Sequence, residues 1–210
     1  MHGPAQRRHA CSLTCGTVNF GDDVFMNPWG FMTDLYQATQ EKGIVPEFEL
    51  FDLGHISTLQ RLLSAYGLPH GGRIHCDLVM GVPGGFDGDL RTVAAAVQAL
   101  PEGATWSATG IGRTSVPVLL AALSAGGHLR VGMEDTLTYA KGRPVRDNAE
   151  LVTRAAATLA QRPPMDPQTA RVFLTPSTRT ARNRAPVRRP PPSPRRLGQR
   201  PGCARPSARP

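Results

Sequence analysis

The chain has 210 residues and a formal net charge of +8, which is enough for one ordinary domain and a tail. Ten arginines and no acids lie within residues 175–210, so residues 1–174 carry a net charge of −2. No apolar run approaches the roughly 18–20 residues that span a bilayer, and the scattered cysteines exclude a disulfide framework or zinc ribbon and suggest a reducing cytoplasm.

The basic character of the chain belongs to residues 175–210, which also hold nine of the twenty prolines. This segment has almost no large apolar residues, so it cannot bury enough surface to offset the entropy of ordering, and we predict that it is disordered. It is interpreted either as an arm for nucleic acid or another anionic surface, or as an extension without function. We favour the second interpretation because no aromatic residue is present to stack on bases. The predicted domain therefore covers residues 1–174.

The first half of this domain alternates between strand and helix patterns. A strand is predicted within 10–21, and it ends in a polar loop that contains glycine. Apolar residues at helical spacing predict a helix over 29–43, which Gly43 is expected to end. Alternating acidic and apolar residues predict a strand over 46–54, and a helix capped by Ser57 is expected over 57–67.

The second half repeats the alternation, with strands over 73–85, 104–112 and 128–135 and helices over 89–100, 115–127 and 147–162. Asp89 is expected to cap the first of these helices, and Asp147 or Asn148 the last. A further short helix is expected over about 166–173. Five strands that are each followed by a helix require a parallel sheet, since each helix returns the chain to the same edge. Either a doubly wound sheet or part of a (β/α)₈ barrel satisfies this order. In both, functional groups gather at the carboxyl ends of the strands.

Two adjacent acids, Glu134 and Asp135, follow the apolar run of the last predicted strand, and Arg130 lies within it. Two carboxylates at close range raise each other's proton affinity unless a cation lies between them. Either Arg130 or a divalent metal ion could supply that cation. The alternative is an ordinary helix cap or a surface salt bridge.

His55 follows the predicted strand 46–54 and lies within reach of Asp52 for an orienting hydrogen bond. A helix-capping role for His55 is equally compatible with the sequence. The Gly-rich turn GVPGG at 81–85 offers backbone N–H groups to an anion, but a plain strand-to-helix turn explains it as well.

Several strings together resemble the β-keto acid cleavage enzyme family, of which 3-keto-5-aminohexanoate cleavage enzyme is the named member. They are, in order, SLTCGTVNFGD, PEFELFDLGHI, GVPGG, GATWSATGIGR, GGHLRVGMEDTL, KGR and NAELVTRAAATLA. The strings lie between residues 12 and 160, the resemblance extends over roughly residues 10–174, and GHLRVGMED is the most specific string.

The resemblance implies a (β/α)₈ barrel and a zinc-dependent transfer, in which a β-keto acid and acetyl-CoA give acetoacetate and a new acyl-CoA. It implies that Glu134 is a zinc ligand beside two histidines of an early strand. It further implies that Asp135 and Arg130 act together in proton transfer, and that Thr17 contacts the substrate. A homo-oligomer is also implied.

The first three strands of the family, with their His-x-His pair, have no counterpart in this sequence. We therefore expect a partial barrel of five βα units with two exposed sheet edges, and a zinc site that lacks two of its three protein ligands. Whether such a chain is an active enzyme is left open. The alternative function is a non-catalytic fragment or binding module whose basic tail contacts nucleic acid or an anionic surface.

Overall fold

The computed structural model of the protein describes residues 10–158. Within that range five strands form one parallel sheet in the order β1-β4-β5-β6-β7, and two further pairs of strands form small antiparallel hairpins. The sheet strands are β1 (Ala10–Thr14), β4 (Val45–Leu50), β5 (His75–Met80), β6 (Thr105–Gly110) and β7 (His128–Leu129). None of the helices in the described range is long and apolar enough to cross a membrane.

The helices follow the sheet strands as the sequence predicts. They are α1 (Trp29–Lys42), α2 (Leu53–Tyr66), α3 (Leu90–Ala99), α4 (Ser115–Ser124) and α5 (Asn148–Thr158), with a short 3₁₀ turn at Gly112–Thr114. Asp89 caps α3 by accepting a hydrogen bond from the Thr92 N–H at 2.8 Å, which confirms the predicted cap. Gly43 ends α1 in the left-handed conformation, where a residue without a Cβ atom is favoured.

Helices α1 to α4 all pack on one face of the sheet. Every second residue of the strands enters this apolar core together with residues of the helices, and the core includes Leu13, Phe48, Leu50, Cys76, Leu78, Ala108, Tyr36, Leu59, Val93 and Val118. A doubly wound sheet carries helices on both faces. Coverage of a single face is the arrangement of part of a (β/α)₈ barrel, and it confirms the predicted fold class.

The alternate strand residues form the other face of the sheet, which we call the polar face. Val45 and Val79 also lie on this face, and its polar residues are Ser12, Thr14, Glu47, Glu49, His75, Asp77, Thr105, Ser107, Thr109 and His128. The parallel register sets Glu49 beside Asp77, Asp77 beside Ser107, and Ser107 beside His128. Polar side chains from neighbouring strands are thereby lined up across the sheet, because residues in register point to the same side.

The last strand is shorter than predicted. We expected a strand over 128–135, but β7 ends at Leu129, and the backbone then turns so that the N–H groups of Asp135 and Thr136 both donate to the Gly132 carbonyl at 3.1 Å. Apolar composition alone suggested a longer strand. Because of this turn, Glu134 and Asp135 lie outside the sheet, after the end of β7.

Helix α2 begins one turn earlier than predicted. Its cap is Asp52, whose Oδ1 atom accepts a hydrogen bond from the His55 N–H at 2.9 Å, and the predicted cap Ser57 lies inside the helix. Asp52 is the cap instead of Ser57 because its side chain lies at the end of β4, where the first N–H groups of the helix need acceptors.

Two hairpins were not predicted, since their strands have two or three residues each: β2 (Val18–Phe20) with β3 (Asp23–Phe25), and β8 (Thr138–Ala140) with β9 (Arg143–Pro144). The first hairpin rests on the loop after β5. There the Gly21 N–H donates to the Pro83 carbonyl at 3.0 Å. A Cβ atom on Gly84, which has φ +100°, would lie 2.6 Å from the Asn19 carbonyl oxygen, so this close approach requires glycine.

Asp147 accepts a hydrogen bond from the Glu150 N–H at 2.8 Å and is one of the two caps predicted for α5. The predicted continuation of that helix to residue 162, the helix over about 166–173, the domain boundary at 174 and the disordered tail 175–210 lie outside the described residues. They stay predictions.

Candidate active site

The Arg130 guanidinium is the centre of a charged cluster on the polar face. Its Nη1 atom donates to Glu49 Oε1 at 2.8 Å and to Asp77 Oδ2 at 3.1 Å, and its Nη2 atom donates to Glu134 Oε1 at 2.6 Å. A third acid of the sheet, Glu47, lies 3.9 Å from Nη1. The two strands β4 and β5 and the turn after β7 thus converge on one cation.

Asp77 is the most deeply buried of these acids, with no exposed surface. Burial raises the pKa of its carboxyl, and hydrogen bonds from Ser107 and Thr109, at 2.6 and 2.7 Å, partly oppose that rise. Together with Arg130, three donors satisfy the two carboxylate oxygens. A buried carboxylate with this number of donors is a rigid anchor for the guanidinium.

The neighbouring strand β4 presents two more acids. Glu49 accepts a hydrogen bond from the Thr14 hydroxyl at 2.9 Å while it pairs with Arg130. Burial, and next the negative charge of Asp77, raise the pKa of Glu47 to about 7. Glu47 is therefore only partly ionised near neutral pH, although its Oε2 atom lies 3.5 Å from Nε2 of His75.

Asp135 lies at the rim of the sheet, close to the end of β6. Its carbonyl accepts a hydrogen bond from the Gly112 N–H at 2.8 Å, so the loop after β6 and the turn after β7 are in contact. Its Oδ2 atom is buried and has no hydrogen-bond partner among the described residues. Burial raises the pKa of Asp135 to about 6, although the charge of Arg130 lowers it. A carboxylate oxygen that has no hydrogen-bond partner and that feels the charge of a fixed guanidinium is suited to accepting and returning a proton.

Glu134 points elsewhere than its neighbour. Its side chain is 70% exposed and forms an ion pair with Arg130. The two adjacent acids therefore point in different directions, and Arg130 is the cation that lies beside Glu134. No group of three or more His, Cys, Asp or Glu side chains within residues 10–158 is arranged to hold a metal ion. Glu134 as a metal ligand stays a prediction.

Thr17 lies in the loop that follows β1, at the same end of the sheet. Its hydroxyl accepts a hydrogen bond from the Asn27 N–H at 2.9 Å, and its carbonyl oxygen lies 3.3 Å from Nε2 of His55. These contacts fix the loop, and the exposed position of Thr17 leaves it accessible. Its contact with substrate stays a prediction.

His55 has a positioning role in the loop rather than a place in the Arg130 cluster. It is 3% exposed, and its Nδ1 atom accepts a hydrogen bond from the Phe51 N–H at 3.3 Å. Because Nδ1 accepts, the ring proton belongs on Nε2, where the Thr17 carbonyl accepts it. The Asp52 carboxylate is 3.5 Å from Nε2, so the proposed orienting contact is present but long.

Sequence reasoning missed Glu47, Glu49, Asp77, Ser107 and Thr109 as members of the cluster. Two signals pointed to them. Central strands of a parallel sheet usually read as continuous apolar runs, whereas β4 alternates acids with Phe48 and Leu50. The strand β5 holds one acid within an otherwise apolar stretch.

The chain matches the beta-keto acid cleavage enzyme family over residues 2–175. It is 38% identical over 149 residues to 3-dehydrocarnitine:acetyl-CoA trimethylamine transferase of Rhizobium meliloti (strain 1021), which covers 70% of this chain and 49% of that protein. It is 32% identical over 166 residues to 3-keto-5-aminohexanoate cleavage enzyme of Acetoanaerobium sticklandii, covering 78% of this chain and 60% of that protein.

A third relative is 3-oxoadipate:acetyl-CoA acetyltransferase of Cupriavidus necator, with 34% identity over 155 residues, 72% of this chain and 54% of that protein. The chain therefore spans about half the length of the curated relatives it matches.

Two solved structures are similar in fold. The apo structure of ObcA has a TM-score of 0.70 at 18% identity and covers 79% of this chain and 44% of its own. The ternary complex of ObcA with a C4-CoA adduct and oxalate has a TM-score of 0.65 at 20% identity, over 78% of this chain and 44% of its own. These likenesses concern the fold. By the family match over residues 2–175, the chain belongs to the beta-keto acid cleavage enzyme family.

Proposed function

We propose that this chain carries part of the site of a β-keto acid cleavage enzyme, which condenses a β-keto acid with acetyl-CoA and releases acetoacetate and an acyl-CoA. The observation that carries the proposal is the Oδ2 atom of Asp135, which has no hydrogen-bond partner among the described residues and lies within the electrostatic influence of the fixed Arg130 guanidinium. The names of the relatives, which are acetyl-CoA transferases and a β-keto acid cleavage enzyme, support this reaction class.

In this proposal Asp135 moves the proton. Its Oδ2 atom takes a proton from C2 of the β-keto acid, and C2 attacks the thioester carbonyl of acetyl-CoA, releasing the CoA thiolate. The thiolate attacks the 3-keto carbon and the C2–C3 bond breaks, which gives the new acyl-CoA and the enolate of acetoacetate. Asp135 then returns the proton to that enolate, so atoms and charges balance over the cycle.

Arg130 has two tasks in this scheme. Its positive charge favours the ionised form of Asp135, which must accept the first proton. Its bonds to Glu49 and Asp77 hold the guanidinium in one place, so that it needs no rearrangement when negative charge moves onto substrate oxygens.

The zinc ion that the resemblance implies does not fit the described residues. Glu134 is the one candidate ligand, and it is engaged by Arg130 rather than grouped with two further ligands within residues 10–158. One protein ligand would hold zinc weakly. The steps assigned above to Asp135 and Arg130 involve no metal ion.

The test is acetoacetate formation by the purified chain from acetyl-CoA and a set of β-keto acids that includes 3-oxoadipate and 3-keto-5-aminohexanoate. We expect product with the parent chain and a loss of about 10²-fold or more with Asp135→Asn or Arg130→Met. The matched control Glu102→Gln alters an exposed acid away from the cluster and should keep the parent rate. Absence of product from the parent chain, or equal rates with all variants, would contradict the proposal.

Self-association belongs to the same proposal, because the resemblance implies it. Light scattering of the purified chain across a range of concentrations tests it, and a mass that stays at 22.5 kDa would contradict it.

A further inference from the structure

The hairpin of β8 and β9 carries the positive charge of the described part of the chain. Residues 138–146, which we call the basic hairpin, contain Lys141, Arg143 and Arg146 and no acid. By contrast, residues 10–137 contain six Lys and Arg but thirteen Asp and Glu. All three basic side chains of the hairpin are exposed. An otherwise acidic region therefore has one separate positive surface, and such a surface attracts anions.

Two of these cations are held in place by Glu150, whose side chain is only 6% exposed. The Nη2 atom of Arg143 and the Nε atom of Arg146 both donate to Glu150 Oε1. The Arg143 guanidinium also lies over the ring of Tyr139, 4.1 Å from its centroid. The two arginine side chains are 53% and 76% exposed, so they keep N–H groups toward solvent. One carboxylate neutralises only one of two guanidinium charges, so the pair is fixed in position and still positive.

The basic hairpin is tied to the turn that carries Asp135. The Val145 N–H donates to the carbonyl of Leu137, two residues after Asp135, at 2.9 Å. Just before the two acids, the Met133 N–H donates to the side chain of Asn148 at 2.8 Å. Hydrogen bonds on both sides of the turn therefore set the position of the hairpin relative to Asp135.

Arg113 extends the positive surface from the neighbouring loop. It follows Gly112, whose N–H donates to the Asp135 carbonyl at 2.8 Å. Arg113 and Lys141 are exposed, and neither makes a hydrogen bond or an ion pair within the described part of the chain. The loops after β6 and β7, the last two strands of the sheet, thus both present cations at the rim. In (β/α)₈ barrels the loops after the last two strands frequently form a phosphate site.

Acetyl-CoA carries its phosphate groups at a distance from its thioester. About a dozen bonds of the pantetheine arm separate the thioester from the diphosphate, so the extended arm spans on the order of 15 Å. Lys141 follows Asp135 by six residues and can lie at most about 20 Å from it. A thioester at Asp135 therefore leaves the diphosphate within reach of the basic hairpin.

We propose that the basic hairpin and Arg113 bind the phosphate groups of acetyl-CoA and thereby hold its thioester at Asp135. This binding role rests on the proposed function, which makes acetyl-CoA a substrate. Guanidinium groups bind phosphate through parallel N–H bonds, and Lys141 adds a compact positive charge without an internal partner. Affinity for the substrate then depends on its phosphates, while the chemistry depends on Asp135.

Isothermal titration calorimetry of the full chain with coenzyme A tests this contact without turnover, because neither a thioester nor a β-keto acid is present. We expect dephospho-CoA, which lacks the 3′-phosphate, to bind about two- to fivefold more weakly than CoA. Pantetheine, which lacks all the phosphates, should bind at least about tenfold more weakly. The affinity for CoA should fall between about 0.05 M and 0.5 M salt, where exposed charges are screened.

The variant Lys141→Gln identifies the site. We expect the dissociation constant of CoA to rise about two- to fivefold, the range for loss of one exposed ionic contact, and that of pantetheine to stay unchanged. The matched control Lys42→Gln removes the same charge from an exposed position in the last turn of α1 and should not change CoA binding. The arginines of residues 175–210 are the same in both variants, so any contact that they make with CoA cancels in the comparison.

Three results would overturn the phosphate site: no binding of CoA to the parent chain at low salt, equal affinities for CoA and pantetheine, or equal CoA affinities of Lys141→Gln and Lys42→Gln. Acetoacetate formation by a chain that gives any of these results would leave the proposed function intact. If CoA binding depends on Lys141 but no acetoacetate forms, the phosphate site is supported and the catalytic assignment fails.

Discussion

The Nη1 atom of Arg130 lies 3.1 Å from the Oδ2 atom of Asp77, a carboxylate without exposed surface at the centre of the sheet. The two residues are 53 positions apart in sequence and meet because β5 and the turn after β7 share the polar face. The pair therefore links the interior of the sheet to the rim where Asp135 lies. It is the structural basis for a guanidinium with a fixed position.

Replacement of Asp77 by alanine tests this anchor. Asp77→Ala removes the acceptor of Ser107, Thr109 and Arg130, and we expect a loss of about 2–4 kcal/mol in the free energy of unfolding. Ser107→Ala is the control, since it removes one neutral hydrogen bond and should cost only about 1 kcal/mol. Urea unfolding followed by circular dichroism measures both. Equal free energies of unfolding for Asp77→Ala and Ser107→Ala would show that the contact between Asp77 and Arg130 contributes little to stability.

Arg130→Met leaves four carboxylates without their shared cation. We expect the variant to lose about 1–3 kcal/mol at pH 8 and less at pH 5, because in the variant the crowded acids bind protons more readily when folded than when unfolded. Arg130→Lys restores the positive charge but not the planar guanidinium. It should therefore recover part of the stability but not the simultaneous contacts with Asp77 and Glu134. Urea unfolding at the two pH values distinguishes these cases. A loss for Arg130→Met that is independent of pH would argue against charge as the cause.

Glu47→Gln should stabilise the chain at alkaline pH. Burial, and then the charge of Asp77, raise the pKa of Glu47 from 4.5 to about 7, while Arg130 opposes the rise and Glu49 adds to it. His75 does not offset the charge near neutral pH, because burial and His128 lower its pKa to about 4.

A raised carboxyl pKa means that the folded chain binds a proton more tightly than the unfolded chain, so the stability contributed by this site falls as pH rises from 4.5 to about 7. We expect Glu47→Gln to gain about 1–2 kcal/mol at pH 8, less than a fully buried group would give. At pH 4.5 or below, Glu47→Gln should leave the free energy of unfolding unchanged. Glu102→Gln serves as the exposed control, and an equal gain at both pH values would contradict the assignment.

Gly16 and His55 should be energetically coupled. A Cβ atom on Gly16 would lie 2.6 Å from Cδ2 of His55, so Gly16→Ala should cost about 1–3 kcal/mol through overpacking. His55→Ala should itself cost about 1–3 kcal/mol, because the Phe51 N–H and the Thr17 carbonyl lose their partner. In the His55→Ala background the added methyl group has room, and its cost should approach zero. Additive losses in this double-mutant cycle would show that the ring is not what excludes a side chain at Gly16.

Local signals were read correctly from the sequence where one residue decides the outcome. Asp89 and Gly43 mark the start of α3 and the end of α1, because capping depends on neighbouring backbone groups alone. Repetition of strand and helix was sufficient for a parallel sheet. The choice of a partial barrel over a doubly wound sheet came from the family resemblance, since periodicity does not say which face a helix covers.

Only some members of the charged cluster could be predicted from the sequence. Arg130, Glu134 and Asp135 stand close together in sequence, and the resemblance identified them. Asp77 and Glu49 join them through strand order, which brings residues 53 and 81 positions from Arg130 into contact. The length of the last strand was wrong for a related reason. An apolar run indicates burial but not strand length. The turn at Gly132 is stabilised by backbone hydrogen bonds, which cannot be predicted from the hydrophobicity of the side chains.

The segregation of the sheet into an apolar and a polar face has a consequence for how this family can diversify. Alternate positions of the same strand have different surroundings: one set packs in the apolar core, and the other forms the polar face with the Arg130 cluster. Substitutions at Ser107 or Glu49 change the chemistry presented without disturbing Ala108 or Phe48, which pack beneath the helices. Selection for a new specificity can therefore change residues of the polar face, while the alternate residues of the same strand keep their packing in the apolar core.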